Sequence, residues 1–167
     1  MNTISAKLLV LVSLSACGST TAGASGSVVD GSALSADTED DDFMGCPDDI
    51  PAFGPGLRTQ AEHIAAKLVS ATPTDPTRNV SNRWTVELSA LDGSPAAGAT
   101  ITHGQTFMPI HGHDGRVDPQ MTALAQPGQF DVDRLSFTMR GPWEVRLWVS
   151  SAVVADELVV FHVCVAQ

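Results

Sequence analysis

The chain has 167 residues, and its nine Lys and Arg against nineteen Asp and Glu leave a formal net charge of −10. The few cations are scattered, so there is no basic stripe of the kind nucleic acid requires, and nucleic-acid binding is excluded.

Residues 1–16 read as a secretory signal. Lys7 supplies a positive charge, Leu8 to Leu14 form an apolar run, and small residues follow. That run is too short to cross a bilayer. Leu14-Ser15-Ala16-Cys17 resembles the lipobox of bacterial lipoproteins, which implies cleavage before Cys17 and acylation of its thiol. Each buried methylene contributes roughly 0.8 kcal/mol, so several acyl chains anchor stably. The expected address is the bacterial cell envelope, on the outer membrane or the periplasmic side of the inner membrane. Gly18, rather than Asp, after the cysteine points to the outer membrane.

Residues 17–42 form a spacer. Gly, Ser, Ala, Thr and Val dominate it, and Glu39-Asp40-Asp41-Asp42 close it. Such a stretch cannot bury a core, and as a flexible tether of about 25 residues it spans roughly 25 to 30 Å. Residues 43–167 amount to one domain. Cys46 and Cys164 lie near its two ends, and in an oxidising compartment an even pair reads as a disulfide. His162, near Cys164, is the only hint of a ligand role for either thiol.

Within this domain the pattern has period two. A first strand is expected around Ala66 to Ala71, ended by Pro73 and Pro76. Trp84, Val86, Leu88 and Ala90 then alternate with Thr85, Glu87 and Ser89 up to the turn Asp92-Gly93-Ser94-Pro95. Further runs follow over Ala99 to Phe107, Met121 to Ala125, Phe130 to Met139, Trp143 to Ser150 and Leu158 to Val165, punctuated by Pro127-Gly128 and Gly141-Pro142. Inside the run from Phe130 the inward phase passes from Phe130 and Val132 to Leu135, Phe137 and Met139, which predicts a bulge near Asp133-Arg134. His103 shares the parity of Ile101 and is expected to be buried. Six or seven strands with turns and little helix predict an all-β fold, an immunoglobulin-like Greek-key β-sandwich.

Met108-Pro109-Ile110-His111-Gly112-His113 gathers a thioether and two imidazoles in six residues. Together these donors favour copper over hard cations. Histidines two apart in an extended segment point to one side, where both can hold one ion. The competing reading is a polar turn, with the histidines bonded to backbone and Met108 in the core. Met139 has the same two readings: a core side chain at a strand end, or a thioether aimed at the histidine loop. Asp114 either orients an imidazole or begins an Asp114-Gly115 turn. His63 and His162 have no ligand-like neighbours.

The hexapeptide, followed by Pro127-Gly128-Gln129-Phe130 and by Phe137-Thr138-Met139-Arg140-Gly141-Pro142-Trp143-Glu144-Val145, resembles the YtkA-like family of bacterial exported domains over approximately residues 82–165. The resemblance implies an immunoglobulin-like sandwich with a role in copper handling or respiratory-oxidase maturation. It carries over Met108, His111, His113 and Met139 as candidate copper ligands. The expected function is a lipid-anchored module that holds Cu(I) or passes copper to a membrane partner, a copper-receiving envelope protein. The chain departs from the family in His103 and in its long acidic tether.

An enzyme is not expected. His111-Gly112-His113-Asp114-Gly115 misses the zinc-hydrolase pattern His-x-His-x-Asp-His, because the aspartate comes one residue early and no histidine follows. There is no Gly-x-Ser-x-Gly elbow, phosphate-binding loop or dinucleotide fingerprint. The alternative to a copper module is a metal-free β-sandwich that binds an envelope protein.

Overall fold

Apolar alternation becomes two stacked sheets in the computed structural model, which describes residues 45–166. The expected signal, the lipidated Cys17 and the acidic spacer lie outside the described residues. Among the described residues there are nine strands: β1 (Arg58–Gln60), β2 (Ile64–Thr72), β3 (Ser81–Ala90), β4 (Thr100–Met108), β5 (His113–Asp114), β6 (Gln120–Ala123), β7 (Gln129–Ser136), β8 (Gly141–Ser150) and β9 (Glu157–Val165). One sheet runs β1-β2-β3-β7-β6 and the other β5-β4-β8-β9, with every pairing antiparallel. The fold is therefore all-β and sandwich-like.

Each expected run has a strand at its position. The count exceeds six or seven because β1 and β5, of three and two residues, are too short to show a period. Trp84, Val86 and Leu88 of β3 face Trp143, Val145, Leu147 and Val149 of β8 and Val159, Phe161 and Val163 of β9 across one buried core. Each such side chain contributes roughly 1.5 to 3 kcal/mol on leaving water. On the outer side of β3, Glu87 accepts hydrogen bonds from Lys67 Nζ at 2.6 Å and Gln129 Nε2 at 3.1 Å. These bonds, the lysine's first, hold its carboxyl below the usual range against the opposing effect of burial.

Of the three bulges among the described residues, two bear on the expected side-chain phase. Asn82 pairs with Leu135 and Trp84 with Val132, so Arg83 alone stands opposite Asp133 and Arg134, the expected bulge. Arg134 takes a φ of 62°, which turns the following residues so that Leu135 and Phe137 point inward. β7 nevertheless stops at Ser136, and Met139 lies beyond it, half-buried against the core.

The second bulge overturns the expectation for His103. Ile101 pairs with Val149 and His103 with Trp148, leaving Thr102 as the extra residue. The parity shared with Ile101 is thereby broken, and His103 is exposed, with its ring 4.9 Å from that of Trp148.

Cys46 and Cys164 form a disulfide, with Cα atoms 5.8 Å apart across a sequence separation of 118. Cys164 sits opposite Pro142 in the β8–β9 ladder. The staple thus holds the entering segment to the sandwich end where β8 begins.

Candidate metal site

β4 ends at Met108 and reverses through Pro109 to Gly112. Gly112 closes the reversal with a φ of +66°, a left-handed conformation that glycine adopts without steric cost, and its N–H donates to the Met108 carbonyl at 2.8 Å. The histidine segment is therefore a turn, not the extended strand that would place both rings on one side by alternation. Even so, the two rings lie near each other, with centroids 6.0 Å apart and planes 28° apart. Two imidazoles sharing one ion through bonds of about 2.0 Å have centroids roughly 5 to 6 Å apart, so the spacing is compatible with one shared ion, toward which the in-plane lone pairs of the nearly parallel rings would have to turn.

β5 places the second imidazole. His113 is the register partner of Met108, and directly opposed side chains on one sheet face have Cβ atoms about 4.5 to 5.5 Å apart. His113 is half-buried, and its ring meets Trp143 edge-on at 5.6 Å. Trp143 Nε1 in turn donates to the Met139 carbonyl at 3.0 Å. Trp143 is buried and joins His113 on one side to Phe137 on the other, at 5.5 Å. The four residues singled out in the sequence thus come to one end of the sandwich. Met108 and Met139 flank the core, His113 covers Trp143, and His111 stands exposed beside it.

The protonation pattern of His113 follows from its bond. Its Nδ1 lies 3.0 Å from the Asp114 carbonyl oxygen, which can only accept, so in the neutral ring Nδ1 carries the hydrogen and Nε2 keeps its lone pair. A backbone carbonyl orients this imidazole, not the Asp114 carboxylate, which accepts instead from Gln105 Nε2 at 2.8 Å. Asp114 pairs with Phe107 in β5 and does not begin a turn.

Met108 is 2 % exposed, so its thioether is packed in the core as well as facing His113. Its methyl lies 3.0 Å from where a Cβ on Gly141 would stand, so a side chain at 141 would press on it. Among the described residues no group of three His, Cys, Asp or Glu side chains gathers. Cys46 and Cys164 are joined to each other, and His63 and His162 approach Glu157 and Glu144 at 3.5 and 3.9 Å. Besides the two imidazoles, the soft donors that the backbone brings to this end are the thioethers of Met108 and Met139.

Gly115 was legible only as half of an Asp-Gly turn, yet it fixes how the loop lies on the sandwich. Its N–H donates to the Thr106 carbonyl at 2.8 Å, and a Cβ there would stand 2.1 Å from Thr106 Oγ1 and 2.4 Å from the Ser136 carbonyl oxygen. Those two atoms are already bonded to each other at 2.9 Å, so neither can yield cheaply. Gly115→Ala is expected to destabilise the domain by about 2 to 3 kcal/mol, read as a lowered denaturant midpoint. An unchanged midpoint would mean the loop is not seated this closely.

Comparison with known proteins finds no matching family model, no similar curated protein and no similar solved structure. The likeness to YtkA-like domains rests on the quoted motifs alone.

Proposed function

We propose that this protein is a lipid-anchored copper-binding module of the bacterial cell envelope. His111 and His113, with the thioether of Met108 or Met139, hold one Cu(I) and release it to a membrane partner. The observation that carries this reading is the pairing of two imidazoles 6.0 Å apart, with Met108 opposite His113 in the ladder and the Met139 carbonyl bonded to the Trp143 that His113 meets. The bond at Nδ1 leaves the Nε2 lone pair of His113 unused by it, and soft thioether with imidazole suits Cu(I) better than hard cations. An exposed His111 gives an acceptor protein access to the ion.

The same reading takes the domain as an immunoglobulin-like Greek key. It is supported by the strand order. With β2, β3, β7 and β6 as strands A, B, E and D, and β9, β8, β4 and β5 as G, F, C and C′, the two sheets follow the immunoglobulin arrangement, and β1 is an added edge strand.

One experiment separates this from a metal-free interaction domain, which the burial of Met108 and the backbone bond of His113 favour. One equivalent of Cu(I) added anaerobically should shift the methyl signal of Met108 or Met139 and both imidazoles, leaving Met121 unmoved. Signals that stay in place would favour the metal-free module. The anchor has its own test: Cys17→Ser should release the protein from membranes, and unchanged detergent partition would contradict acylation at that cysteine.

A further inference from the structure

A second feature lies on the described domain apart from the histidine loop. Asn79, Val80 and Ser81 at the entry to β3, Arg116 and Val117 after β5, and Arg134 and Ser136 in β7 enclose a groove of about 280 Å³. No acidic side chain lines it. On a chain of net charge −10, a concavity whose only charged groups are two guanidiniums is a local inversion of sign.

Neither guanidinium has a hydrogen-bond or ion-pair partner among the described residues. The neighbouring carboxylate of Asp133 is turned to other work, accepting from the Arg134 backbone N–H at 2.7 Å. Asp131 is taken by Arg83, whose Nε lies 2.8 Å from both of its oxygens. The bulge that sets the phase of β7 also lifts Arg134 out of the ladder, at a φ of 62° that a non-glycine residue adopts only against strain. Two free planar guanidiniums at one groove, which Ser81 and Ser136 also line, match a tetrahedral oxyanion with several acceptor oxygens.

We propose that this groove binds a phosphate group, through the guanidiniums of Arg116 and Arg134. The phosphate comes either free in solution or as the headgroup of a phospholipid. Val80 and Val117, both exposed at the rim, provide an apolar margin for the alkyl part of a lipid. This site is independent of copper.

The test uses the full chain with Cys17→Ser, so that no acyl anchor contributes. Inorganic phosphate is titrated at constant ionic strength by calorimetry, and sedimentation is measured with vesicles of phosphatidylglycerol or of phosphatidylcholine. Arg116→Gln changes an exposed loop residue, and Arg134→Asn keeps a residue that tolerates positive φ, so both variants should fold. Expected is saturable binding at one phosphate per chain, weakened about tenfold or more by either substitution. Sedimentation with phosphatidylglycerol that either substitution also abolishes assigns the phosphate to a lipid headgroup, and phosphate binding without vesicle binding assigns it to the free ion. Failure to bind both probes, or equal binding by the variants and the parent, overturns the proposal.

Discussion

Changing His111 and His113 together to alanine should abolish tight Cu(I) binding while the denaturant midpoint stays within about 1 kcal/mol of the parent. His111 is exposed and its removal leaves no cavity. His113 is half-buried, and its loss takes away one edge contact with Trp143, whose ring remains packed against Phe137 and bonded to the Met139 carbonyl. The turn itself is closed by Gly112 and seated by Gly115, neither of which is changed. Affinity should fall by more than a hundredfold, because the two thioethers that remain make a poorer site than two imidazoles with one thioether. A double variant that binds copper like the parent would contradict the assignment. A variant that unfolds, from a parent that binds no copper, would show the histidines to be structural.

The second large effect concerns the staple. Replacing Cys46 and Cys164 together by serine should lower the unfolding free energy by about 4 to 5 kcal/mol, the chain-entropy value for a loop of this length. Urea titration of the double variant would read it as a lower midpoint. The loss should be felt first in the entering segment. There Phe53 packs on Trp84 at 5.2 Å, and Gly56 and Leu57 exchange backbone bonds with Leu68. β2 to β9 keep their own ladders. A midpoint equal to that of the parent would mean that the bridge does not constrain the unfolded chain.

Much of the fold was legible because period two is a strong signal wherever one strand face is buried. Trp84, Val86 and Leu88 announce β3, and the slip from Val132 to Leu135 announces the bulge that the register shows. What escaped was short or broken. β1 and β5 have too few residues for a period, and the bulge between Ile101 and His103 has no composition of its own, so His103 was assigned to the wrong face. At the candidate site the donor residues could be read from Met108 to His113, but not the reason they meet. The rings approach through a glycine-closed turn instead of strand alternation, and Trp143 links His113 to Met139 from a distant strand. Arg116 and Arg134 were invisible as a pair, since only the seating of Gly115 against Ser136 brings the segment after β5 to the end of β7.

The central claim is that the histidine end holds one copper ion, and an anaerobic competition titration of the Cys17→Ser chain against a chromogenic Cu(I) chelator tests it most directly. One Cu(I) per chain should be withdrawn from the chelator, with a sharp end point. A chelator that keeps all of its copper at every protein concentration would contradict it.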